Sequence, residues 1–160
     1  MSIEKVKEYL KQWDMDEKVI EFKQSSATVE LAAEAAGVIP ARIAKTISFQ
    51  NGENGCILIA TAGDTKVDNA KFKAKFGIKA KMLKAEQVVE FTGHAIGGVC
   101  PFAITNPATK IFTDVSLKRF DTIFPACGSS NSAIELTCDE LFRYASSDEW
   151  VDVCKGWEVV

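Results

Sequence analysis

Two short stretches hold the residues best suited to chemistry: Ala44-Lys45-Thr46-Ile47-Ser48-Phe49 and Gly97-Gly98-Val99-Cys100-Pro101-Phe102. In the first, Ile47 and Phe49 alternate with Thr46 and Ser48, the period of a half-buried strand, which puts the ammonium of Lys45 at the strand's edge or mouth. The second supplies backbone. Paired glycines let N–H groups approach a ligand, and the proline that follows stiffens the loop. An ammonium beside open N–H groups suits a polar acyl or phosphate group. A lysine at the start of a strand also serves simply to discourage edge pairing, and Gly-Gly before an apolar run also makes a plain turn, so spacing alone leaves function open.

Other chemistries find little material. Cys56, Cys100, Cys127, Cys138 and Cys154 form no Cys-x-x-Cys pair and His94 is the single histidine, so no metal site and no cofactor is expected. An odd number of cysteines without a secretory leader reads as reduced thiols packed as small apolar residues. Cys100 and Cys127 lie in glycine-containing segments but lack a histidine-like base, and His94 itself reads first as a structural imidazole.

The elements that must position these residues form one mixed α/β domain of 160 residues, long enough to bury a core without staples. Helix one is expected from Ser2 to about Trp13, with Val6, Tyr9, Leu10 and Trp13 inward. A strand near Val19 to Phe22 precedes a short helix carrying Val29, Leu31, Ala32, Ala35 and Ala36 and stopped by Gly37. Strand Lys45 to Phe49 turns at Asn51-Gly52 and pairs with Cys56 to Ala60. Asp68 caps a helix over Asn69 to Phe76, Gly77 stops it, and Ala85 to Phe91 forms another. Strands are expected at Phe102 to Thr105, Lys110 to Thr113, Thr122 to Ala126 and Ala133 to Leu136. Thr137-Cys138-Asp139-Glu140 is a capping box that opens a last helix to about Ala145. Many short strands broken by short helices fit a mixed sheet curled into a barrel better than a doubly wound sheet. Trp150 and Trp157 are expected to be exposed. No run of ~18 apolar residues and no signal-peptide core is present, so the cytoplasm is the expected location and no membrane partner is expected.

Three segments occur in an order that resembles the YbaK/ProX family of aminoacyl-tRNA deacylases, freestanding relatives of the prolyl-tRNA synthetase editing domain. They are Ala41-Arg42-Ile43-Ala44-Lys45-Thr46, Gly97 to Pro101 as a Gly-x-x-x-Pro loop, and Gly128-Ser129-Ser130-Asn131-Ser132-Ala133-Ile134-Glu135-Leu136. The resemblance spans nearly the whole chain. It implies a barrel of about six or seven strands ringed by short helices, with the cleft between sheet and helices. It also implies that Lys45 is catalytic and that Thr28, Thr46, Gly97, Gly98, Pro101, Gly128, Ser129 and Asn131 contact substrate. Thr28, Val29, Ile47 and Ala126 hint at the depth of an acyl pocket. Some relatives carry serine or histidine just before the late glycine turn, where this chain has Ala126-Cys127, so a polar contact to substrate is either missing there or supplied by Ser129, Ser130 or Asn131 of the turn, or by Cys127 itself.

The implied reaction is hydrolysis of a small amino acid, such as alanine or cysteine, from tRNA for proline or a similar tRNA. The ester is already activated by its ribose leaving group, so Lys45 and N–H groups near Gly97 and Gly98 would position it and hold oxyanion charge while water attacks. A charge pattern agrees: Lys66 to Lys84 holds seven lysines against Asp68 alone, a segment of +6 in a chain of net charge −3. Lys71, Lys73, Lys75 and Lys79 would dock the acceptor stem through phosphates, although a solvated amphipathic helix with Phe72 and Phe76 inward has the same pattern. The expected partners are the charged tRNA end and, as in some relatives, a synthetase; DNA is not among them. Two alternatives stay open: a non-turnover module that binds aminoacyl-tRNA or an aminoacyl-adenylate, and a lysine- or thiol-based acyl transferase acting on a small metabolite.

Overall fold

The computed structural model describes residues 2–157. In chain order its elements are α1 (Ser2–Leu10), β1 (Ile20–Glu21), α2 (Val29–Ala36), β2 (Ile43–Gln50), β3 (Cys56–Ala62), β4 (Lys66–Val67), α3 (Asn69–Phe76) and α4 (Ala85–Thr92). There follow β5 (Thr109–Asp114), β6 (Thr122–Pro125), β7 (Ser132–Ala133), β8 (Leu136–Thr137), α5 (Cys138–Tyr144), β9 (Glu149–Val151) and β10 (Cys154–Lys155). Six strands make a strongly curled mixed sheet in the order β8-β6-β2-β3-β5-β9, and β1 with β7 and β10 with β4 form two short ribbons. The curled mixed sheet with short helices around it is the architecture expected from the sequence.

Local chemistry sets the helix ends. Thr28 Oγ1 accepts the Leu31 N–H at the start of α2, and Gly37 closes it at φ +70. Asp68 caps α3 through the Lys71 N–H, and Thr137 with Glu140 forms the reciprocal capping box of α5. Helix α1 ends earlier than the expected Trp13, because Lys11 to Trp13 tightens into a 3₁₀ turn.

β2 and β3 pair antiparallel from Ala44 opposite Ala62 to Gln50 opposite Cys56. Their residues alternate between two cores, which places Ala44, Leu58, Ala60 and Ala62 with Val6 and Leu10 of α1, Phe102, and Leu141 of α5. Ile47, Phe49, Ile57 and Ile59 face Phe72 of α3 and Phe112 of β5. Both faces of β2 are therefore covered, and Ser48 is buried, where a half-buried strand was expected.

β2 also lies inside the sheet rather than at its edge. Its flank toward β6 is nevertheless paired only in part. β6 runs beside it at Ile43 and Ala44, after which the Ser48 carbonyl accepts the Leu83 N–H at 3.2 Å and the Gln50 N–H donates to the Lys81 carbonyl at 2.7 Å. Even-numbered residues of β2 turn their N–H and C=O to this flank, so Thr46 presents its backbone groups to the interval between the two pairings.

Other differences have physical causes. Residues 102–105 form a bent loop instead of a strand, since Ala103 takes φ +58, outside extended geometry. The strand expected over Ala133 to Leu136 divides into β7 and β8, which pair with β1 and β6 respectively. Trp150 and Trp157 are half-buried: Trp150 stacks on Phe142 at 5.7 Å between ring centroids, and Trp157 packs beside Val153 and under Arg119.

Candidate functional site

A cavity of about 260 Å³ opens where the flank of β2 is unpaired. Its walls come from the 26–28 strap and α2, from β2, from the segment around Met82 and Leu83, from the Gly97 loop, and from β6 and β7. Most of the lining is apolar: Val29, Ala32, Ile43, Ile47, Val88, Phe124 and Ala133 contribute aliphatic or aromatic surface. Lys45 is the charged side chain on this wall.

Lys45 is half-buried and its Nζ donates to the Thr65 carbonyl, at the turn that follows β3. Burial pushes its pKa below the ordinary lysine value of 10.5, with Cys154, Asp64 and Glu30 acting in the opposite sense. Asp64, in turn, is held by Arg119 at 2.6 and 2.9 Å, and that guanidinium lowers the pKa of its carboxyl. The lysine is thus tethered to the Thr65 carbonyl and lines the cavity.

Of the residues expected to contact substrate, the structure brings Thr28, Lys45, Thr46 and Gly97 onto the cavity wall, together with Val29, Ile47 and Ala126. The Thr28 hydroxyl is engaged as the cap of α2. Gly97 takes φ +98, a backbone conformation that glycine, having no Cβ, adopts without strain. Gly98 has a different part: its N–H donates to the Ala95 carbonyl at 3.0 Å, and a Cβ there would lie 2.7 Å from Ser129 N and 2.8 Å from Gly128 C. It lets two loops touch, and its N–H is not turned to a ligand. Pro101 and Gly128 are buried behind the wall. Ser129 Oγ bonds Asn131 and Ser132 at 2.9 and 2.8 Å, and Asn131 Nδ2 donates to the Phe22 carbonyl at 3.1 Å, so these side chains hold the late turn together.

His94 and the two nearby thiols are also behind the wall. The Phe102 carbonyl can only accept, so His94 Nε2, 2.8 Å away, carries the proton and Nδ1 accepts from the Ser2 hydroxyl. Burial holds the imidazole neutral by lowering its pKa. The same effect raises Cys100 to about 12 and Cys127 well above its ordinary 9.0, which keeps both as thiols.

Lys71, Lys73, Lys75 and Lys79 are all exposed, and of these Lys71 pairs with Asp152 at 3.2 Å and Lys75 with Glu149 at 2.6 Å. Lys79 and Lys81 border a second, open cavity of about 400 Å³ that adjoins the first through Leu83. Sequence reasoning missed Ser26, Val88, Met82 and Ile96 as wall residues. The last two are 64% and 67% exposed, and such solvent-facing large apolar groups at a rim are the signal that a folded surface supplies and a linear pattern does not.

Residues 23–144 match the model of the aminoacyl-tRNA editing domain. The chain belongs to the aminoacyl-tRNA editing domain family. An uncharacterized protein of Bacillus subtilis (strain 168), YwhH, is 53% identical over 158 residues, covering 99% of this chain and all of that protein. Among solved structures, a candidate trans-editing enzyme for prolyl-tRNA synthetase superposes with a TM-score of 0.85 at 28% identity over 97% of this chain and 98% of the other. A scaffold protein used for computational epitope grafting gives 0.86 at 25% identity, with 98% of both chains covered. In this editing domain the cavity beside Lys45 is bounded by segments that all lie inside the matched span.

Proposed function

We propose that this editing domain hydrolyses the ester of mischarged aminoacyl-tRNA, with a small amino acid such as alanine or cysteine carried on tRNA for proline or a similar tRNA. The observation that carries the reading is Lys45, a cation on the wall of a small, otherwise uncharged cavity. Its size lies just under the roughly 300–1,000 Å³ of sites for drug-sized ligands, which suits a small acyl group with part of its ribose.

The chain's own residues divide the work. The Lys45 ammonium attracts the terminal phosphate or polarises the ester carbonyl. The N–H of Thr46, turned to the unpaired flank of β2, and the backbone of Gly97 stand beside the developing oxyanion. Neutral His94 and the buried thiols stay out of the reaction, so water or a hydroxyl of the substrate is the nucleophile, and positioning supplies most of the rate. Exposed Lys73 and Lys79 steer the acceptor stem toward the rim formed by Met82 and Ile96. The logic of a second site is that a methylene difference is worth only about 1–3 kcal/mol, too little for one synthetase step to reject every small near-cognate amino acid. Five free cysteines, four of them buried, suit a reducing cytoplasm.

The test is a deacylation assay with alanyl-, cysteinyl- and prolyl-tRNA for proline, comparing the wild type with Lys45→Ala. Loss of a mischarged ester, slowed about 10²–10³-fold by the substitution, is the expected result. Intact esters with retained tRNA binding would replace the deacylase with the binding module.

A further inference from the structure

The turn that receives Lys45 is gripped from two sides. On one, Gly63 packs so closely that an added Cβ would run into the Pro40 carbonyl and lie 2.7 Å from Val29 Cγ1. On the other, Arg119 donates from its two terminal nitrogens to the two oxygens of Asp64, at 2.9 and 2.6 Å, and from Nε to the Ser116 carbonyl at 2.8 Å. Ser116 belongs to the same grip, since its buried Oγ accepts the Ala62 N–H at 3.2 Å. Between these holds, the Ala62 carbonyl accepts the Thr65 N–H at 3.2 Å and the Thr65 hydroxyl at 2.7 Å, and the Thr65 carbonyl accepts Lys45 Nζ.

An exposed ion pair between flexible side chains contributes little and fixes little. The Arg119 side chain is different: it is 7% exposed, and its guanidinium carbon lies 4.9 Å from the Phe120 ring centroid and 5.1 Å from that of Trp157. A planar fork held between rings, with three directed donors engaged, fixes the direction as well as the distance of what it holds. Lysine has a flexible four-carbon stem, so the resting place of its ammonium depends on its acceptor. With one N–H of Lys45 given to Thr65, two remain for a substrate oxygen.

We propose that Arg119 is a positioning residue for Lys45: through Asp64 and Ser116 it holds the 62–65 turn, so that the Thr65 carbonyl sets the place of the ammonium. Its effect on turnover rests on the deacylase reading above, whereas its effect on the placement of Lys45 does not. A misplacement of about 1 Å at a reacting group costs up to about 10²-fold, so exchanging the fork for a single-point donor should lower kcat/KM about 10- to 100-fold.

The experiment measures kcat/KM on alanyl- and cysteinyl-tRNA for the wild type, Arg119→Lys, Asp64→Asn and Lys45→Ala, and for each of the first two substitutions added to Lys45→Ala. Each of the first two alone should slow the reaction about 10- to 100-fold, yet by less than about twofold when added to Lys45→Ala, because the residue they act through is then gone. A purely structural lesion slows the Lys45→Ala protein as much as the wild type, and that result overturns the assignment, as does full activity in Asp64→Asn. NMR of the Lys45 side-chain nitrogen, assigned by its loss in Lys45→Ala, reads placement without turnover. Its signal should shift in Arg119→Lys, which leaves the net charge unchanged. An unmoved signal overturns the proposal whether or not esters are cleaved, and a shifted signal in a protein inert on every ester overturns the deacylase reading alone.

Discussion

Gly98→Ala tests the architecture behind the site most directly. An alanine Cβ would sit 2.7 Å from Ser129 N, 2.8 Å from Gly128 C and 2.9 Å from Gly128 O, all backbone atoms. Reaching even a tight contact of 3.4 Å requires a relative shift of about 0.5–0.7 Å. The opposing turn has little room to retreat. Ser130 is tied to Ser26, Asn131 to Phe22 and Ser129 to Ser132, while Gly128 itself abuts Ser2, where a Cβ would lie 2.8 Å from the hydroxyl. Overpacking of this kind costs about 2–3 kcal/mol, which for a chain of this length lowers Tm by roughly 5–10 °C. Gly97→Ala is the control, for its Cβ would meet only Ala27 and Ser130 Cβ atoms at 3.6 Å, leaving the positive φ as the strain, about 1–2 kcal/mol. Thermal and urea unfolding of both variants provides the measurement, with deacylation followed in parallel. A Gly98→Ala protein that melts within about 2 °C of the wild type, or no lower than Gly97→Ala, would refute the packing argument.

Two more predictions concern charge. Because burial lowers the pKa of Lys45, its ammonium should deprotonate below 10.5 when followed by NMR of its side-chain nitrogen; a cation shifted in this direction weakens the fold while charged, so stability should rise as pH passes upward through the folded value, and Lys45→Met should abolish that rise. Replacing exposed Lys73 and Lys79 by alanine should flatten the salt dependence of tRNA binding by up to about 2 in the log–log slope, with little change in Tm; an unchanged slope would remove these lysines from the docking surface.

Much of the fold was readable because local rules agreed with the final packing. Thr28 to Gly37, Asp68 to Gly77 and the Thr137–Glu140 box carry their own start and stop chemistry, and each helix appears where those signals put it. Strands β4, β9 and β10, two or three residues long, carry no such punctuation and exist because a distant neighbour pairs with them. The 102–105 loop shows the converse: an apolar run that reads as strand is broken where Ala103 takes a positive φ. At the site, Lys45 and Gly97 stood out by residue type, whereas Ser26 and Val88 are ordinary in sequence and reach the cavity only by chain crossing. Gly98 and Gly128 were visible as glycines, but only the close approach of the two loops tells packing from ligand contact.

The interval along β2 has a consequence for solubility. An open strand flank invites a second molecule to add itself, and the usual defences are a charge, a bulge or a cover. Here β6 occupies one end of the flank and the Lys81–Leu83 segment the other, leaving room for contact with a single residue, Thr46. That is too short to template a strand from another copy, yet long enough to offer one N–H and one C=O to a small guest. Widening the opening by loosening either neighbour would therefore trade selectivity for aggregation, and changes of substrate are expected to arise by exchange of wall side chains while the two backbone pairings stay in place.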